Sequence, residues 1–177
     1  MAGHYAARAT SNSVINQSHS DQAGATLHVR LRRDSGGYPP YESEEVVGTL
    51  IGDHLYRLES VPAFAFGLAR GDIVEARHYG DPQVPWIERL HSAGGHSTIR
   101  VIGLGGRTPS EARSEAEALG GYVQETPLAG LIAIDVPPET DFHEIEVELV
   151  RLQNAGILDY NIGVLAAGHK SIALEQS

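Results

Sequence analysis

The chain has 177 residues, 41% of them hydrophobic, enough for one large folded unit or two small ones with a buried core, and its 13 basic against 23 acidic residues give a formal net charge of −10. That charge repels phosphate backbones and speaks against generic nucleic-acid binding, while the absence of cysteine excludes disulfides, thiolate metal sites and a cysteine nucleophile. No run approaches the roughly 18 apolar residues that span a bilayer and no signal-peptide pattern opens the chain, so a soluble cytoplasmic protein with no membrane partner is expected; Lys170 as the single lysine, beside abundant Ala and Gly, fits a GC-rich genome.

Residues 1–25 are rich in Ser, Asn, Gln, Ala and His without apolar periodicity, and read as a flexible tail in which His4 and His19 are solvated side chains. From Thr26 the pattern changes. Leu27, Val29 and Leu31 alternate with His28, Arg30 and Arg32, which predicts a half-buried strand with a basic outer face. After the turn Asp34-Ser35-Gly36-Gly37, two prolines in Tyr38-Pro39-Pro40-Tyr41 exclude a helix or a central strand. They predict an extended arm, 38–45, that carries Tyr38, Tyr41, Ser43 and Glu44. Short strands are expected at Val46–Ile51, Leu55–Glu59, Pro62–Phe66, Asp72–His78 and Val84–Leu90, separated by Gly52-Asp53, Gly71 and Gly80-Asp81-Pro82. Such closely spaced turns predict a small, strongly curved β-rich unit, barrel-like, over 26–92.

The pair Gly94-Gly95 reads as a hinge into a second unit, 93–165. Its first strand, Ser97–Gly103, precedes Thr108-Pro109-Ser110-Glu111, a sequence with the form of a capping box, and a helix with Ala112, Ala116 and Leu119 on one face that stops at Gly120-Gly121. Strands Tyr122–Thr126 and Leu131–Val136 follow, joined by a turn over 127–130. A second helix is capped by Asp141 and striped by Ile145, Leu149 and Leu152, Gly156 ends it, and Ile157–Leu165 forms the last strand. The order β-α-β-β-α-β is the ferredoxin-like pattern, with two helices on one sheet face and the other face free. Residues 166–177 are expected as a C-terminal tail, and the whole is an α+β protein.

Several of these stretches together resemble a bacterial family known only as domain of unknown function 4265. They are Tyr38-Pro39-Pro40 with Ser43-Glu44, Leu55-Tyr56-Arg57-Leu58 with Val61-Pro62, Gly71-Asp72-Ile73-Val74-Glu75-Ala76, Gly95-His96-Ser97-Thr98 with Arg100-Val101, and Asp135-Val136-Pro137-Pro138. The resemblance spans about residues 27–160 and departs at Val46-Val47, where the family often places a tryptophan. It implies an architecture and a candidate surface, and no activity.

On a strand His96, Thr98 and Arg100 share one side, which places a base, a hydroxyl and a fixed cation in a row. His96 can exchange protons near neutral pH, Arg100 can hold a carboxylate at two points, and Glu44 from the arm can polarise the imidazole. The catalytic candidates are therefore His96, Glu44 and Arg100, and the ligand-binding candidates Tyr38, Tyr41, Ser43 and Thr98. The alternative reading of the same charges is a buried ion-pair network that fastens the two units. Metal is not expected, since His91 and His96 lack a third ligand at a recognisable spacing. Gly103-Leu104-Gly105-Gly106 matches neither phosphate-loop spacing, so no cofactor is expected. A serine hydrolase is disfavoured because Ser97 faces away from His96 and no Gly-x-Ser-x-Gly occurs. Two functions follow as expectations: an accessory protein that binds a small anionic ligand or a peptide at the interdomain surface, or a small cofactor-free acid/base enzyme of specialised metabolism using His96 with Arg100 and Glu44.

Overall fold

The computed structural model describes residues 24–80 and 83–171. The expected N-terminal tail up to residue 23, with His4 and His19, lies outside them, as do turn positions 81 and 82 and residues 172–177. Among the described residues, nine strands and two α-helices form a β-rich α+β fold on two sheets. No helix among the described residues is long and apolar enough to cross a membrane.

The first sheet contains β1 (Ala25–Arg30), β2 (Ser43–Gly52), β3 (Leu55–Leu58), β4 (Ile73–Tyr79) and β5 (Val84–Ser92). Successive strands pair antiparallel, and β1 meets β5 in parallel at His28 opposite Trp86, which closes the sheet on itself. Alternation explains the closure: Leu27, Val29, Val46, Tyr56, Leu58, Val74 and Ala76 all point inward and form one cluster. Ser43–Glu45, expected on the extended arm, instead begin β2, with Ser43 opposite Arg30 and Glu44 opposite Val29. The strand expected at 62–66 is absent. The backbone groups of that segment are taken by side chains from two other elements, as described below, and no neighbouring strand pairs with it.

The second sheet contains β6 (Ser97–Gly103), β7 (Tyr122–Glu125), β8 (Leu131–Val136) and β9 (Leu158–Val164), in the order β7-β8-β6-β9 with every pair antiparallel. Helices α1 (Ser110–Ala118) and α2 (Phe142–Asn154) cover one face, packing Ala112, Ala116, Phe142, Ile145, Leu149 and Leu152 on Ile99, Val101, Ile132, Ile134 and Val136. Asp141 caps α2 as expected, its carboxylate accepting from the His143 N–H at 2.9 Å. The capping box at α1 does not form: the helix starts one residue after Pro109 and has no side-chain cap, so Thr108 is left outside. Residues 166–171, expected as the start of a tail, dock on this unit. His169 stacks on Phe142 at 5.6 Å, and the Ser171 hydroxyl donates to the buried Glu146 at 2.8 Å.

The opposite face of this sheet is not free. Val61, Ala63 and Phe64 from the 59–72 connection pack on Leu131 and Ala133 of β8, with Leu31, Tyr41 and Leu128 at the edge. Every residue of β8 is buried as a result. The junction at Gly94 is equally tight. A Cβ there would lie 2.3 Å from the Gly71 carbonyl carbon and 2.4 Å from its oxygen, and the Gly94 N–H donates to Asp72 at 2.7 Å, so the expected hinge is a packed contact between the units. Gly94→Ala forces these backbones apart and is expected to lower unfolding free energy by about 1–3 kcal/mol or more; urea denaturation of the full chain measures it, and an unchanged midpoint would refute the tight junction.

Candidate functional site

β6 sets the geometry. Its helix-facing residues are Ile99 and Val101, so Thr98 and Arg100 face the first unit, with the His96 side chain beside them. Arg100 is only 3% exposed. Its Nε donates to the Ala63 carbonyl and its Nη2 to the Ala65 carbonyl at 2.9 Å. From the other side, the Glu44 carboxylate of β2 accepts from the N–H groups of Ala63 at 2.6 Å, Phe64 at 3.0 Å and Ala65 at 2.8 Å. The tripeptide Ala63-Phe64-Ala65 is thus gripped by an anion on its donors and a cation on its acceptors. Those backbone groups would otherwise be left unpaired where the units meet. Burial pushes the Glu44 carboxyl above its usual range against the opposing pull of the three N–H groups and Arg100, and burial draws the Arg100 guanidinium below its own. Gly163 on β9 makes room for this cation, since a Cβ at that position would lie 3.0 Å from Cζ. Gln124 of β7 repeats the device one step earlier: its side chain accepts from the Val61 N–H and donates to the Val61 carbonyl, both at 2.9 Å.

His96 makes a different contact from the one expected. Its Nδ1 lies 2.9 Å from Oδ1 of Asp135, a fully buried carboxylate on β8, and Glu44 is not its partner. The Arg70 guanidinium stands 3.6 Å from the other Asp135 oxygen and 4.9 Å from the Tyr122 ring centroid. Asp72 accepts from the N–H groups of Ala69 at 2.8 Å and Gly94 at 2.7 Å. Burial raises both Asp135 and Asp72 above the ordinary carboxylate range. The His96 side chain keeps 20% of its exposure. Thr98 is buried, and its hydroxyl has no hydrogen-bond partner among the described residues. Ser97 turns to the helix side, where its hydroxyl lies 2.7 Å from His169 Nδ1 and accepts from the Ala166 N–H at 2.8 Å. Among the described residues, no group of three or more His, Asp or Glu side chains is placed to hold a metal ion.

The candidates therefore divide. Glu44 and Arg100 act on one loop from opposite sides, and His96 belongs to a separate pair with Asp135. Tyr38 and Tyr41 pack on Phe64, at 6.4 and 5.2 Å between ring centroids. Tyr41, Ser43 and Glu44 share a groove of about 430 Å³ between the units, whose other walls include Glu45, Glu125 and Gln124. Its carboxylates oppose an anion there. A larger groove of about 720 Å³ runs along the first sheet beside the clamped loop and is lined by Arg30, Arg32, Phe66, Tyr79, Trp86 and Arg89, among others. Asp135, Asp72, Arg70 and Gln124 are not among the candidates that the sequence offers for the site, although Asp72 and Asp135 lie in the stretches that carry the family resemblance. A signal existed for Asp135: an ionisable residue inside the apolar run Leu131–Val136 has to find a partner.

Two sheets joined by a clamped loop define an α+β protein with its polar network at the seam. Residues 44–160 match the family described as Domain of unknown function (DUF4265), and the chain belongs to that family. A solved structure titled "Novel crystal structure of a hypothetical protein from Neisseria gonorrhoeae" is similar to it in fold, with a TM-score of 0.68 and 22% sequence identity, covering 81% of this chain and 96% of that one. No curated protein matches the chain.

Removing either jaw of the clamp leaves buried backbone groups unpaired, at about 1–3 kcal/mol each. Arg100→Ala is expected to cost about 3–5 kcal/mol, as for a buried charge network broken on one side. Glu44→Gln destabilises as well, because the amide has a single acceptor oxygen for three N–H groups; chemical denaturation measures both, and losses under about 0.5 kcal/mol, the level of ordinary surface changes, would refute the clamp. The raised carboxyls also set a pH dependence. Glu44, Asp72 and Asp135 take up protons at higher pH in the folded chain than in the unfolded one. Their contribution to stability is therefore complete below the unfolded-state value of about 4 and is lost as pH rises through the folded-state values. Unfolding free energy should fall as pH climbs above about 4.5, with a shallower slope in Glu44→Gln; equal slopes in the two proteins would show that Glu44 titrates normally.

Proposed function

We propose that the chain is a non-catalytic, cytoplasmic bacterial accessory protein, a binding module that captures a small anionic ligand or a peptide on the surface beside the seam between its units. The closed pairing of β1 to β5 supports reading the first unit as a small barrel, and the order β7-β8-β6-β9 with two helices on one face supports reading the second as ferredoxin-like. The single observation that carries the functional reading is the clamped loop. Glu44 and Arg100 hold residues 63–65 rigidly, and the next residue, Phe66, remains 68% exposed at the wall of the groove that Arg30 and Arg32 share. Rigid presentation of an exposed aromatic side chain beside cations suits capture, because little freedom is left to lose on binding. In this reading Glu44 and Arg100 are positioning residues.

A second reading is favoured by one observation, the 2.9 Å contact of His96 with Asp135. A buried carboxylate that holds Nδ1 orients the imidazole so that Nε2 can accept a proton, which is the arrangement of an acid/base centre. Here Asp135 takes the role expected of Glu44, and Arg100 is withdrawn into the clamp.

Native mass spectrometry of the purified full chain, with a thermal-shift screen of small anions, separates the readings. Binding-module function predicts a bound small molecule, or a ligand-induced rise in melting temperature, that is lost in Phe66→Ala and kept in His96→Gln. The reverse pattern transfers the function to the His96–Asp135 pair. Absence of any adduct and of any ligand-induced shift would refute the module.

A further inference from the structure

The larger groove has its own chemistry. The exposed sides of β1 and β5 bring Arg30 and Trp86 to the groove, Arg32 joins them from just past the end of β1, and the clamped loop adds Phe66 to the lining. Arg30 and Arg32 have no carboxylate partner among the described residues, whereas Arg89 is tied to Glu75. The one carboxylate in the lining, Glu88, is already held by Arg77 at 3.2 Å and by the Tyr79 hydroxyl. Two uncompensated guanidiniums thus stand in a chain whose net charge is −10. Salt limits the reach of that overall charge to about 8–10 Å, so a small anion in the groove meets the local guanidiniums, while a long polyanion also meets the acidic remainder of the surface.

The aromatic side is equally specific. Arg100 sits 4.1 Å from the Phe66 ring centroid, fixing the ring on one face, and the exposed remainder of Phe66 is available for stacking. Arg30 lies 5.4 Å from the Trp86 ring centroid and His28 5.2 Å, so the indole and the free cation are neighbours. We propose that this groove binds a nucleoside monophosphate, with the phosphate held by Arg30 and Arg32 and the base stacked on Phe66. A phosphate monoester carries about −1.5 to −2 charges near neutral pH and accepts forked guanidinium contacts, which matches two free arginines better than a single carboxylate does. The proposal rests on the binding-module reading and names its ligand class.

Trp86 is the chain's only tryptophan, so its fluorescence reports this groove directly. The full chain is titrated with AMP, GMP, CMP and UMP, and with adenosine and inorganic phosphate as ring-only and charge-only probes. Saturable binding of at least one nucleotide is expected, with adenosine and phosphate each weaker by roughly tenfold or more, the equivalent of one lost charged contact or stack. Arg32→Ala and Phe66→Ala should each weaken the nucleotide by roughly tenfold, while Arg151→Ala, an equal charge change on α2, should leave it unaltered. No saturable binding of any of the four, equal affinity for inorganic phosphate, or tighter binding of a short oligonucleotide than of its mononucleotides would overturn the proposal. If nucleotides fail while an adduct is still lost in Phe66→Ala, the nucleotide assignment falls and the binding module stands.

Discussion

Everything at the seam depends on how the backbone of residues 63–65 is satisfied. An irregular segment wedged between two sheets would bury three donors and two acceptors without partners, a loss large enough to unfold a marginally stable chain. Glu44 from the first sheet answers the donors, and Arg100 from the second answers the acceptors. The two charges meet through the loop rather than directly, which lets each be buried with its hydrogen bonds filled. Because the jaws come from different units, the clamp also fixes the units relative to each other.

That arrangement changes what the second sheet can offer. Its face opposite the helices carries Thr98, Arg100, Gln124, Ala133 and Asp135, and the 59–72 connection of the first unit lies over it. The sheet face opposite the helices is therefore covered, and the open grooves lie at the edge of the clamped loop. Of these, the groove lined by Glu44, Glu45 and Glu125 is acidic, and the one beside Arg30 and Arg32 is basic. The buried Asp135, with His96 and Arg70 around it, fills the corner where β8 meets the Arg70–Asp72 turn, close to the Gly71–Gly94 contact.

Likeness in fold to a solved structure at 22% identity extends the architecture beyond this chain and leaves function to the residues themselves. Locally, the chain presents a loop held by Glu44 and Arg100, an exposed Phe66 ring, and the Arg30 and Arg32 guanidiniums, which have no carboxylate partner among the described residues.

Sequence alone determined what local physics controls. The alternation of Leu27, Val29 and Leu31 with His28, Arg30 and Arg32 gave both the inward face of β1 and the basic wall of the groove, and the Asp141 cap with Ile145, Leu149 and Leu152 gave α2. It also placed Arg100 and Ser97 on opposite faces of β6, since that follows from strand geometry. The apolar run Leu131–Val136 is buried on both faces of β8, against the free face that the order of elements alone led one to expect. Tertiary structure alone decided the partners. Pro62-Ala63-Phe64-Ala65-Phe66, expected as a strand, became a loop because Glu44 and Arg100, 19 and 37 residues away from Ala63, compete for its backbone. His96 paired with Asp135, 39 residues on, rather than with Glu44. Contacts of that range are set by how two sheets pack, and no local pattern in the chain encodes the distance between them.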